Sequence, residues 1–167
     1  MNPDTPIPSG PSWTLYFHPA NESKWGLGTF INMGPMKTWR QVLNVVDTLH
    51  TDTLSNGMFF LMRDPVPPLW ENAKNIYGGA YSFRVPKKEA GQAFVNYAIA
   101  AMNKQIMMDP ANFVNGMSIS TKNTHNIIKI WNTKADTYSD PSDLLLLVPG
   151  VKTEDVRYTR FTDMRMS

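Results

Sequence analysis

The chain contains no cysteine. That absence excludes a disulfide framework, a thiolate zinc site, a cysteine nucleophile and an iron–sulfur cluster. Nor is there any run approaching the roughly 18 consecutive apolar residues of a membrane-spanning helix. The start, Met1-Asn-Pro-Asp-Thr-Pro-Ile-Pro, has neither the basic region nor the apolar core of a secretory signal. A soluble, cytoplasmic protein without a membrane partner is expected, and Asn21-Glu22-Ser23 reads as a chance sequon. Neither sign of charge dominates, since 16 Lys+Arg face 14 Asp+Glu, which argues against a strongly basic nucleic-acid coat and against a disordered polyelectrolyte. The phosphate-cradling patterns Gly-x-x-x-x-Gly-Lys and Gly-x-Gly-x-x-Gly are missing, as is the Gly-x-Ser-x-Gly elbow of hydrolases. His18, His50 and His125 lack the close spacing of a metal motif. Asp64 and Glu71 could pair as acid and base, but nothing supplies a nucleophile or a leaving-group clamp. No enzyme, metal or cofactor is expected.

Against these absences stand five tryptophans, Trp13, Trp25, Trp39, Trp70 and Trp131, in 167 residues that fit one domain. Prolines 3, 6, 8 and 11 mark residues 1–11 as a flexible segment that is neither helix nor central strand, and residues 12–167 as the folded domain. From Trp13 the alternation of bulky and small residues predicts a strand, on which Trp13 is core; Pro19 to Gly28 then reads as a loop carrying Trp25. Met36 to His50 predicts a helix with Trp39, Leu43, Val46 and His50 on one face. Met58 to Arg63 is a strand, and Asp64-Pro-Val-Pro-Pro leads into a loop bearing Trp70. Ala80 to Val85 is a strand with one wet face, and Glu89 to Met108 a second helix. Residues 116–121 and 126–132 form a hairpin ending at Trp131. A short helix over Pro141–Val148 and a strand over Val156–Phe161 complete the reading. Strands joined by short links predict an α+β fold: a curved antiparallel sheet with helices on its convex face.

Two loop tryptophans, one followed at once by a carboxylate, suit a definite chemistry. Facing indoles hold a flat ring, and a cationic ring gains a cation–π attraction over plain stacking. A carboxylate beside them accepts two parallel N–H groups, which the Watson–Crick edge of guanine offers. Methylation at N7 makes guanine cationic, so the features converge on 7-methylguanine, with Lys122 and Lys129 of the hairpin left to meet attached phosphates. The plain alternatives are loop tryptophans tucked onto the sheet, a solvated Glu71 and a solvated Lys122.

The residues that carry this chemistry resemble the cap-binding translation initiation factor 4E family. The resemblance runs from Trp13 to Trp131, about 70% of the chain. It is carried by Trp13-Thr-Leu-Tyr-Phe, Lys24-Trp25, Thr38-Trp39, Arg63-Asp64, Pro68-Leu-Trp-Glu-Asn-Ala-Lys-Asn75, Gly78-Gly79 and Ile128-Lys-Ile-Trp131. It implies that Trp25 and Trp70 are the sandwich pair, Glu71 reads the guanine edge, and Trp131 touches the N7 methyl group. It implies too that Lys122 meets phosphate, that Trp39 docks amphipathic helices of an initiation scaffold or repressor, and that Pro8 belongs to the N-terminal docking segment. The implied partner is the 7-methylguanosine 5′ cap of messenger RNA, bound by a monomer.

The sequence departs from that pattern at informative places. Ala80 stands where an arginine usually follows the Gly-Gly pair, and Ile127 where a lysine is expected; Lys129, on the same strand face as Trp131, is the compensating cation. Arg160 and Arg165 are further candidates. Ile7-Pro8-Ser9 differs from the usual docking segment. A translational repressor or divergent paralogue with another partner, and a generic single-stranded RNA-binding module, are the alternatives to an initiation factor.

Overall fold

The structure is a computed structural model that describes residues 2–7 and 12–164; Pro8 and Arg165 lie outside the described residues. Seven strands form one antiparallel sheet: β1 (Trp13–Pro19), β2 (Ile31–Met36), β3 (Gly57–Arg63), β4 (Gly79–Val85), β5 (Val114–Thr121), β6 (Asn126–Asn132) and β7 (Arg157–Arg160), in the spatial order β2-β1-β3-β5-β6-β4-β7. Four helices accompany it: α1 (Trp39–Thr48), α2 (Thr51–Ser55), α3 (Ala90–Met102) and the single turn α4 (Phe161–Met164). The expected α+β fold is what the structure has.

Strand alternation divides the sheet into two faces. Leu15, Phe59, Leu61, Tyr81, Phe83, Met117, Ile119, Ile128 and Ile130 point to one side, where they pack with Trp39, Val42 and Val45 of α1 and Phe94, Tyr97 and Ala98 of α3. The intervening residues point to the other, concave side, where Phe30, Phe60, Met62, Val66, Ile76, Ala80, Trp131 and Phe161 make a smaller cluster with half-buried Trp70 at its margin. Trp13 lies in the helix-side core, as the alternation of β1 predicts.

Several elements differ from the sequence reading. β2 is an extra strand, hidden because an edge strand tolerates Gly34 and Pro35 and leaves most of its side chains exposed. Met36 ends it, so α1 starts only at Trp39, where Thr38 and Gln41 form a capping box. The buried face of α1 is Trp39, Val42 and Val45 with Leu49 beyond, and Leu43 is 37% exposed. Trp39 itself is buried, only 5% exposed. Part of the reason is the N-terminal segment: the N–H groups of Trp39 and Arg40, which no helical carbonyl serves, donate to the carbonyls of Thr5 (3.2 Å) and Pro3 (2.6 Å). The second helix stops at Met102, since Lys104 adopts a left-handed φ of 56°. Met107 and Leu144 then bridge, and the Leu145 N–H reaches the Ile106 carbonyl at 3.1 Å, so residues 144–148 are irregular rather than helical. Only Pro141–Asp143 is a 3-10 turn. The last strand ends at Arg160, before Phe161 opens α4.

The capping box makes a direct forecast. Thr38→Ala should lower unfolding stability by about 1 kcal/mol, read as a reduced midpoint in urea with an unchanged slope.

Candidate base-stacking site

The concave face holds a cavity of about 550 Å³. Trp25 and Trp70 reach it from two loops, Trp131 from the end of β6, and Phe60 from β3. The register of the strands sets its floor. Trp131 pairs with Ala80 on β4, which pairs with Thr159 on β7; one step along, Lys129 lies between Ser118 on β5 and Ser82 on β4, and Ser82 pairs with Arg157. Ser118, Lys129, Ser82 and Arg157 thus form a row across four strands, and all four line the cavity. Its described lining contains two cations and no carboxylate. Burial, and then the charge of Lys122, hold the Lys129 ammonium below the ordinary lysine range.

Trp131 is 5% exposed and wedged edge-to-face between Phe60 (6.0 Å, 82°) and Phe161 (5.2 Å, 65°). Its Nε1–H is buried without a protein acceptor. Trp25 is 51% exposed, its edges set by Phe30 and Phe60 and one face covered by the ring of His18.

A buried amide network pins the loop that carries Trp70. Asn75 Nδ2 donates to the carbonyls of Pro67 (3.1 Å) and Leu69 (2.9 Å), immediately before Trp70. Asn115 Nδ2, on β5, donates to Asn75 Oδ1 (3.0 Å) and to the Lys74 carbonyl (2.9 Å), and Arg63 Nη2 closes the chain onto Asn115 Oδ1 at 2.6 Å. Gly78 and Gly79 lie where a Cβ would strike the carbonyl oxygens of Asn132 and Thr159, so the loop can return to the sheet only through glycine. Beyond them Asn132 Oδ1 accepts from the Gly79 N–H (3.2 Å) and from Tyr158 Oη–H (2.7 Å). Burial pushes the Tyr158 phenol up to about 12.

The structure therefore gathers Trp25, Trp70, Trp131 and Lys129 around one cavity. Glu71 is exposed and stands outside its lining, and Lys122, exposed in the β5–β6 turn, lines a second hollow of about 290 Å³ with His18, Glu22 and Trp25. Arg160 turns away to Asp136, 2.6 Å from it. Arg157 was not singled out in the sequence; its signal is the β7 alternation, which places 157 and 159 on one face. No group of three or more His, Asp or Glu among the described residues could hold a metal, and no described helix is long and apolar enough to cross a membrane.

A helix-backed antiparallel sheet whose open face carries three indoles beside a row with two cations defines the class by fold and site: an α+β domain with an aromatic, cationic cavity. Comparison with known proteins makes that class specific. The family model described as eukaryotic initiation factor 4E matches residues 9–146. The chain belongs to the eukaryotic initiation factor 4E family. It is 28% identical over 76 residues to the eukaryotic translation initiation factor NCBP of Arabidopsis thaliana, a match covering 46% of this chain and 34% of that protein, about a third of the relative's length. Among solved structures, C. elegans eIF4E-3, in complex with the 4E-binding protein Mextli and a cap analog, superposes with a TM-score of 0.73 over 98% of this chain and 97% of that one at 15% identity. Ascaris suum eIF4E-3 with an m2,2,7G cap gives 0.63 over 78% and 75% at 17% identity. At such identities the likeness is one of fold.

Removing the keystone of the amide network should loosen the Trp70 loop. Asn115→Ala leaves Arg63 Nη2 and Asn75 Oδ1 unpartnered and should cost about 1–3 kcal/mol of stability, measured by chemical denaturation. Amide exchange should accelerate across residues 66–78 more than in α3.

Proposed function

We propose that this protein binds the 7-methylguanosine 5′ cap of messenger RNA and presents the capped message for translation initiation. The observation that carries the reading is the concave cavity, where Trp25, Trp70 and Trp131 converge above Lys129 and Arg157 with no carboxylate in the described lining. Stacking between Trp25 and Trp70 favours a flat ring, and the electron-rich indole faces favour a cationic one. Trp131 approaches from below to meet the methyl group. Glu71, at the exposed end of the same loop, turns in to accept the guanine N1–H and N2–H once the ring is seated. Family membership and the cap complexes of the structural neighbours support the assignment.

Phosphate recognition follows a different route from the family pattern. Ala80 and Ile127 leave two cationic positions empty, and the row Lys129–Ser82–Arg157 supplies two cations and a hydroxyl on neighbouring strands. Lys122 stands nearby at the hairpin turn. The phosphate chain runs along this row.

On the helix side, the dorsal surface takes an amphipathic helix from a scaffold or repressor. Leu43 is exposed one turn beyond buried Trp39, so the docking ridge is centred on Leu43, with Trp39 beneath it as support. Pull-down with scaffold and repressor peptides separates an initiation factor from a repressor with a non-standard partner.

Tryptophan quenching by 7-methyl-GTP and by GTP tests the site. The methylated ligand should quench strongly and GTP weakly; equal weak responses would overturn the reading. Trp70→Ala should weaken 7-methyl-GTP binding by about 1–3 kcal/mol, or roughly 5- to 150-fold. Capture of uncapped RNA that free 7-methyl-GTP fails to compete away would favour a generic RNA-binding module instead. For the phosphate row, Arg157→Ala and Lys129→Ala should each weaken 7-methyl-GTP binding while leaving 7-methylguanosine binding within about twofold. Each should also flatten the salt dependence by about one unit of slope.

A further inference from the structure

Trp25 sits on a loop with half its surface in solvent, a poor foundation for a stacking platform, because an unrestrained indole loses rotamer freedom on binding. Phe30 and Phe60 meet its edges, and one side chain restrains its face. His18, near the end of β1, is 2% exposed, and its ring lies face-on to the Trp25 indole, with centroids 3.7 Å apart and planes 3° from parallel. Its Nε2 is 2.8 Å from the carbonyl oxygen of Lys24, the residue before Trp25. A carbonyl only accepts, so Nε2 carries a proton, and in the neutral ring Nδ1 does not. Phe30 meets both rings at an angle, His18 at 4.9 Å and Trp25 at 6.0 Å, fixing the pair laterally. The imidazole thus grips the backbone ahead of Trp25 and one face of its ring together.

We propose that His18 is the positioning residue of the stacking site: it holds Trp25 as a one-faced platform whose free face is turned to the cavity. This rests on the reading of Trp25 as a base-stacking residue. The face covered by His18 is closed to ligand, so a base can stack only from the cavity side. Without the imidazole beneath it the indole would be free to turn, and the rotamer freedom it would then lose on binding would lower the affinity.

The test combines a ligand-free readout with 7-methylguanosine, which carries no phosphate. His18→Phe, which keeps a flat ring under Trp25, should bind 7-methylguanosine within about twofold of the native chain. His18→Ala should bind about tenfold more weakly while still unfolding cooperatively, and acrylamide should quench the emission of the ligand-free protein more strongly in His18→Ala than in the native chain or His18→Phe. The proposal is overturned if a folded His18→Ala variant binds within twofold, or if His18→Phe binds as weakly as His18→Ala. Should His18→Ala fail to fold, His18→Leu, which fills the space without a flat ring, takes its place with the same expected loss. If 7-methylguanosine fails to quench the native chain while acrylamide quenching of the ligand-free protein still depends on the ring at position 18, the cap-binding reading fails and the His18–Trp25 stack stands.

Discussion

A β-strand points successive side chains to opposite faces, and this protein uses that alternation to keep its stability and its chemistry on different sides of one sheet. On β6, Ile128 and Ile130 enter the helix-side core, while Lys129 and Trp131 line the cavity. On β4, Tyr81 and Phe83 do the first and Ala80 and Ser82 the second. A one-residue slip in β6 would bury Lys129 on the helix side and empty the cavity of its indole, and one in β4 would turn Tyr81 and Phe83 out of the core. Register is therefore the property on which both the fold and the site depend. The helix layer secures it, because α1 and α3 accept only the apolar set.

Side chains from strands make the floor; the walls come from loops, and loops need other restraints. The two wall tryptophans are held by different physics. Trp70 follows Leu69, whose carbonyl is tied through Asn75, Asn115 and Arg63 to β3 and β5, so its backbone is fixed while its side chain stays half-exposed. Trp25 has its ring fixed instead, by His18 beneath and by Phe30 and Phe60 at its edges. A backbone anchored by buried amides resists displacement strongly, since each broken link strands a desolvated polar group. A ring held by stacking is softer and can settle against a ligand. The site thus has one stiff jaw and one compliant jaw, consistent with a flat guest that must slide between them.

Much of this was legible in the sequence because it rests on alternation and on specific loop residues. The hairpin that ends at Trp131, the loop positions of Trp25 and Trp70, and the placement of helices against one face all follow from residue patterning. What escaped has physical causes. β2 carries Gly34 and Pro35 on an exposed edge, where neither alternation nor burial marks a strand. Residues 144–148 look helical by composition but find their partners across the chain, in Ile106, Met107 and the Tyr97 hydroxyl, and long-range bonds outweigh local propensity. The inward face of α1 lies one position from the face expected, since Trp39, Val42, Val45 and Leu49 fit a helix as well as Trp39, Leu43 and Val46 do. His18 and Arg157 show the same limit at the site. Each is an ordinary residue in its own strand and gains a role only from what the register places beside it.

The cation row carries a cost that a merely structural surface would avoid. Lys129 is partly desolvated on the floor, with Lys122 close enough to depress its basicity and no carboxylate in the described lining to offset either effect. Arg157 adds a further positive charge from the next strand but one, across Ser82. Such an arrangement disfavours the unliganded fold, because burial and like-charge repulsion both penalise the charged form. Serine at 82 and 118 relieves none of that charge, yet it leaves room and hydroxyl groups beside the lysine. An anion laid along the row would remove the repulsion and repay the desolvation together. On the proposed cap-binding reading, that relief would favour a ligand with a negative tail. The stacked ring would then select the head of the ligand and the row what is attached to it, so that a guest carrying both gains from each.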